Sequence, residues 1–576
     1  MLHLVLTCLL FVAPAQDDSL LVAVPAKAQA LMMIHDVESL RERGAESAWF
    51  RIFKDPEILD LIGYFTDRME ILEDEEFQAL TPEKLLKSVS GDILVFLQSE
   101  SHDEFGMQMV ITPGAERDGF DEYLDTFQSL LLDDDELVDS TESYGDFELS
   151  LFEPQEGSKE GGLILCDTGE AVVLGAHSTF DRGLEMVQET LDRLAGTEQA
   201  ASILDDEAFL EARDRVEGQG MIELYCRVDE LVKIGLETVG QDEEELTNRL
   251  DYLGVDDLGD AFLKIDVGEG ESSSFSLSID IEGEGAIRGF VDCFMGPLPL
   301  ELLKMQPARA GRAQVTNIDI NGIYSRSMEL LKQFDENVYN QYRGIYENMF
   351  KKQYNIDFEK EILPLLSGQM GSFALPITAE EAQSMLGMVP EGVSPEGQAF
   401  FVGISDSQTF QTNFEKILRS VGLFVSVKSE EFQGHKIYTI RLPGGAGQLN
   451  WMYTEESVVF CPYSSPIRAV VRLLGQGDQE SVLDKEEYAP FLKKYAGASG
   501  LAFADTAAVF KQALGGVKGA MAAMSAMQVP LQGGGAGGRA ALPVPGDEVV
   551  DKYFKGILIV VTDVDEAGLR VHVIGR

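Results

Sequence analysis

One phrase that occurs twice constrains this chain more than any other feature. Ala30-Leu-Met-Met-Ile-His-Asp36-Val-Glu-Ser-Leu40 reads as a buried strand that ends on an aspartate and turns straight into a helix. Ala313-Gln-Val-Thr-Asn-Ile-Asp319-Ile-Asn-Gly-Ile323 restates it, with Asp319 lying 283 positions after Asp36. Looser versions surround Asp229 and Asp505. Further blocks recur in the same order without gaps. Leu85-Leu-Lys-Ser-Val-Ser-Gly91 matches Ile362-Leu-Pro-Leu-Leu-Ser-Gly368, and Ser202-Ile-Leu-Asp-Asp-Glu-Ala-Phe209 matches Ser481-Val-Leu-Asp-Lys-Glu-Glu-Tyr488. Ordered blocks at a nearly constant spacing are the mark of a tandem duplication.

The duplication sets the expected plan. Apolar residues at three-to-four spacing predict helices after Met107 to Thr112 and after Phe400 to Ser405, and alternation in Phe147 to Phe152 and Lys436 to Arg441 predicts half-buried antiparallel strands. The expectation is an α+β protein of two homologous tandem halves, residues 16–305 and 306–576, following a signal peptide at 1–15. Each half is a mainly antiparallel sheet with helices packed on one face, and a pseudo-twofold axis relates the two. Pro307-Ala-Arg-Ala-Gly311 marks the seam, and a Gly-, Ala- and Pro-rich insertion at 515–546 is peculiar to the second half.

Charge bounds the partners. Against 45 Lys and Arg stand 99 Asp and Glu, a net charge of −54, and such a field repels nucleic acid and anionic lipid. The apolar run Leu4 to Phe11, followed by Ala13-Pro-Ala15, has the pattern of a secretory signal and is too short to span a bilayer. No later stretch is long and apolar enough for a transmembrane anchor. The expected location is therefore periplasmic or extracellular.

No constellation for chemistry stands out. Cys166, Cys226, Cys293 and Cys461 are far apart, with no CxxC pair; three lie in strand-like runs as small core residues, and one long-range disulfide is open. His35, His102, His177, His435 and His572 form no metal-ligand spacing, and His35 and His572 read as structural. Asp36, Asp229, Asp319 and Asp505 read as recurring helix N-caps. Asp563-Val-Asp565 reads as a hairpin turn rather than a calcium loop, while the runs Asp133 to Glu136 and Asp242 to Glu245 leave weak divalent-cation binding open. No catalytic, cofactor-binding or metal-ligating residue is assigned, and no cofactor is implied. Met521, Met524 and Met527, in an Ala- and Met-rich stretch, mark a candidate contact for a protein or an apolar ligand.

The signal sequence, the strand–Asp–helix phrase and the helix–Leu-Ser-Gly–strand block from Phe358 to Leu375 resemble a family of exported bacterial proteins of unknown function, of the kind common in planctomycetes. The resemblance implies no activity and no site residue. The expected function is an exported, non-enzymatic binding or envelope-associated protein. Two alternatives remain: a carrier of an apolar ligand or lipid between the halves, and a hydrolase whose carboxylates assemble only in three dimensions.

Overall fold

The computed structural model describes residues 18–59, 81–99, 101, 104–132, 137–154, 161–196, 201–237, 243–353, 355–378, 380–382, 396–441, 447–475, 479–514 and 545–576. The signal sequence, His102, Asp133 to Glu136, Asp242, and the Met-rich stretch with its glycine tract lie outside the described residues. The chain is a mixture of helices and antiparallel strands, as expected, and the strands of the described residues form one sheet of twenty.

The first ten strands are β1 (Ala30–Ile34), β2 (Ile93–Ser99), β3 (Phe105–Ile111), β4 (Leu137–Tyr144), β5 (Phe147–Pro154), β6 (Leu163–Asp167), β7 (Val172–His177), β8 (Ile222–Arg227), β9 (Leu258–Val267) and β10 (Ser273–Ile281). They pair side by side in the order β4, β5, β6, β7, β3, β2, β1, β8, β9, β10, every pair antiparallel. The second ten are β11 (Arg312–Asn317), β12 (Leu366–Pro376), β13 (Glu396–Ile404), β14 (Lys428–Phe432), β15 (His435–Arg441), β16 (Gln448–Tyr453), β17 (Ser457–Cys461), β18 (Gly500–Asp505), β19 (Ile557–Asp565) and β20 (Gly568–Gly575). Their order is β14, β15, β16, β17, β13, β12, β11, β18, β19, β20. β10 then pairs antiparallel with β20 and joins the two runs, leaving β4 and β14 as the outer edges.

Helices cover both faces of the sheet, a correction to the expectation of one covered face. Leu31 and Met33 of β1 pack with helix Phe180–Leu194 and helix Glu207–Asp214 in one cluster, whereas Met32 and Ile34 pack with helix Val37–Glu46 and helix Arg117–Leu132 in another. The physical reason is that Ala30 to Ile34 is apolar at every position, so both sides of the strand need cover. In the second run Val315, Phe373 and Phe401 meet helix Ser464–Leu474 on one side, and Trp451 and Val458 meet helix Ser407–Ser420 on the other.

Three of the four junction aspartates cap helices. Asp36 accepts from the Ser39 N–H at 3.0 Å, Asp319 from Gly322 at 2.9 Å and Asp505 from Ala508 at 2.9 Å. Asp229 does not. β8 runs directly into helix Val228–Glu237, which puts Asp229 inside the first turn, where it pairs with Lys233 at 3.1 Å. Asp565 closes the β19–β20 turn by accepting from the Ala567 and Gly568 N–H groups. After β11 the chain is helical, with a break at Asp335, which ends helix Ile320–Phe334 and caps helix Glu336–Ile345.

Candidate functional site

The sheet carries two features that could hold a ligand, one polar and one apolar. The polar one lies where the two runs of strands meet. Register places Glu223, Lys264, Ser276 and His572 opposite one another across β8, β9, β10 and β20. On either side the same row is apolar, with Met33 beyond Glu223 and Val561 beyond His572. A file of four polar residues thus crosses a strip that is otherwise core.

Each member of the file has a partner. Arg213 spans both oxygens of the fully buried Glu223, with Nε to Oε1 at 3.2 Å and Nη2 to Oε2 at 3.1 Å, and also donates to Asp18 at 2.7 Å. Lys264 donates to the Val216 carbonyl at 3.4 Å, and burial lowers its ammonium pKa. The Ser276 hydroxyl lies 2.6 Å from Nδ1 of His572, and Nε2 of the same ring faces Oε2 of Glu217 at 3.3 Å. Lys494 and Tyr495 both donate to that Glu217 oxygen, at 2.5 Å and 2.9 Å. Ser276 and Glu217 come from one run of strands and their connections, and His572, Lys494 and Tyr495 come from the other.

Above this file is a cavity of about 350 Å³, which Arg215, Glu217, Ser276, Lys494, Arg570 and His572 help to line. It is a concave site between the two runs, with three permanent cations in a chain that is acidic throughout. Arg215 pairs with Asp280 and Arg570 pairs with Asp563, so these cations are held in place rather than mobile.

Burial favours the neutral imidazole. Burial depresses the His572 pKa from its ordinary 6.5, and the Glu217 carboxyl lies below its ordinary 4.5 because hydrogen bonds from Lys494 and Tyr495 outweigh its desolvation. Both shifts have the same sign for stability, since the unfolded chain binds protons that the folded chain refuses. Stability should fall as pH drops below about 6.5, where the free imidazole takes its proton, and fall again as the carboxyl protonates. Urea midpoints at pH 7.5 and 5.5 check this. The acid value should be the lower, and the gap should narrow in His572→Gln; an equal gap in the variant would remove His572 as a cause.

The apolar feature is a trough on the face that Met32 shares with Leu97, Leu224, Leu263 and Leu277. It consists of a cavity of about 540 Å³ over β1, β2, β8, β9 and β10, and a neighbour of about 320 Å³ between β3, β6, β7 and helix Arg117–Leu132. Met107 lines both. Among the described residues the lining is almost wholly carbon and sulfur, and both volumes fall in the range of small-molecule sites.

His572, read from sequence as structural, is the residue that reasoning on spacing missed. A signal was present: Ser274, Ser276 and Ser278 occupy one phase of β10, and Arg570 and His572 the matching phase of β20, in rows that also hold the core residues Phe262 and Val561. His35 is buried, and its Nε2 lies 3.8 Å from Glu223. Among the described residues Cys166, Cys226, Cys293 and Cys461 are free thiols, and burial pushes Cys166 up to about 11 and Cys461 up to about 12, so neither of these two is a nucleophile at neutral pH. Among the described residues no three His, Cys, Asp or Glu side chains gather as a metal site, and no helix is long and apolar enough to cross a membrane. No family model, curated protein or solved structure matches the chain, so its function is argued from this geometry.

Proposed function

We propose that the chain is an exported binding protein of two homologous tandem halves, and that its first half holds an apolar, acyl-type ligand in the trough. The observation that carries the ligand class is the pair of partly enclosed apolar cavities joined at Met107. The methionines there, Met32, Met107 and Met109, can re-pack around chains of differing shape.

Support for two halves comes from the pairing order, which repeats strand for strand, and from the antiparallel joint β10–β20, the arrangement that a pseudo-twofold axis would produce. Aligned by strand partners, Leu31 corresponds to Ala313 and not to Gln314, because each faces the equivalent phenylalanine, Phe96 or Phe373. Leu298, Leu302 and Leu303 pack in the core of the second run, so the boundary in this reading falls before Leu298 rather than at 305.

The same alignment explains why the ligand belongs to one half instead of lying between them. Met32, Leu97, Met107, Leu224 and Leu263 have as counterparts Gln314, Ala374, Gln398, Ala502 and Val560. The second face is thus too polar and too shallow for an apolar guest. Export rests on the Leu4 to Phe11 run and its small-residue boundary.

The test is displacement of a polarity-sensitive fluorophore by an uncharged long-chain fatty alcohol, with Met107→Glu and Met107→Leu compared with the parent chain. A carboxylate in the trough should weaken binding at least about tenfold, while Met107→Leu leaves it nearly unchanged. Equal affinity of Met107→Glu and the parent would reject the trough as the site.

A further inference from the structure

The polar cavity at the joint has a purpose that ligand binding in the trough does not use. We propose that Ser276, His572 and Glu217 form a hydrolytic site for small carboxylic esters, with Ser276 as nucleophile, His572 as general base and Glu217 as the positioning residue. The proposal is independent of the trough, which lies on the opposite side chain phase of β10.

Geometry supports each role. The Ser276 hydroxyl and His572 Nδ1 are 2.6 Å apart, within the reach required for proton transfer. Glu217 at 3.3 Å from Nε2 favours the tautomer that carries its proton there, which leaves Nδ1 free to accept from Ser276. Lys494 and Tyr495 hold the Glu217 carboxylate in turn. Nucleophile, base and orienting acid therefore stand in line, with the two ring nitrogens exchanged relative to the familiar serine-hydrolase arrangement. The cavity of about 350 Å³ above them admits a small ester. Arg215 and Arg570 line it, and their positive charge favours an oxyanion developing in the cavity.

The chemistry balances with water as the second substrate. Oγ of Ser276 attacks the ester carbonyl while His572 takes its proton; the ester C–O bond then breaks and the proton passes to the departing alcohol. Water attacks the acyl-serine, again giving its proton to His572. The carboxylic acid leaves and Ser276 recovers the proton. Because Ser276 and His572 sit on β10 and β20, the site exists only when the two runs of strands are joined.

The experiment uses the full chain, an alkyl fluorophosphonate and p-nitrophenyl acetate. Expected is a single adduct, mapped by peptide mass spectrometry to Ser276, together with ester turnover that falls at least roughly 100-fold in Ser276→Ala and in His572→Gln. His572→Gln keeps a hydrogen-bonding side chain, so it reports on the base even where Ser276→Ala disturbs folding. Around the ring stand Glu217, Lys494, Tyr495, Asp266, Asp563, Arg215 and Arg570. Removing the Glu217 charge while leaving the others should move the acid limb of the pH–rate profile to lower pH in Glu217→Gln, which a purely structural role would not do. No adduct on Ser276, turnover equal in the parent and both variants, or an unmoved limb in Glu217→Gln would overturn the assignment and leave the file as a contact between the two runs.

Discussion

Arg213→Met should destabilise the fold by about 3–5 kcal/mol, the cost of leaving a buried charge without its partner. Glu223 is 0% exposed, and Arg213 is the cation that meets both of its carboxylate oxygens. Removing the guanidinium takes the cation nearest both oxygens away from a carboxylate that lies between Met33 and Lys264 in the middle of the sheet. The double variant Arg213→Met, Glu223→Leu should recover most of the loss, since the row then continues the apolar strip from Met33. Urea unfolding of the two single variants and the double gives the coupling. Additive losses would mean that the two buried side chains are not energetically coupled.

The second large effect is expected at the joint. Val573 lies in β20 between Phe275 of β10 and Val560 of β19, and proline there deletes an interior ladder hydrogen bond. Val573→Pro should cost at least about 3 kcal/mol. If the two runs are separate folding units joined by this ladder, denaturation should also split into two transitions. A single transition at the parent midpoint would show that the ladder contributes little.

What could be read in advance depended on where each strand sits. Interior strands such as Phe147–Pro154 and His435–Arg441 alternate because their neighbours bury one set of side chains, and alternation made them visible. β4 and β14, with sequences LVDSTESY and KSEEF, escaped notice because they are edges with little to bury. The uninterrupted apolar run of β1 was legible as a strand, but its second meaning, cover on both sides, was not drawn from it. The duplicated phrase aligned on its aspartates is one residue out of phase with the strand pairing, and a one-residue slip exchanges the two faces. That is why the contrast between Met32 and Gln314 could not emerge from the phrase alone.

The polar file was hidden for a different reason. Glu223, Lys264, Ser276 and His572 are separated by up to hundreds of positions, and only register brings them into line. A histidine in an alternating strand looks like filler when its cross-strand partner is unknown. The interrupted phase of β10 and β20 was the available clue, because serine, arginine and histidine stood where core residues were due.

The two outer strands also determine where the sheet stops. Joining the runs through β10 and β20 hides one edge of each, so among the described residues β4 and β14 are the strands left with an unpaired edge. Asp139 and Glu142 stand on one, Glu430 and Glu431 on the other. A second copy docking onto either margin would bring carboxylates of the two edges together, which disfavours strand addition there. Acidity at these margins therefore works as a terminator of strand addition.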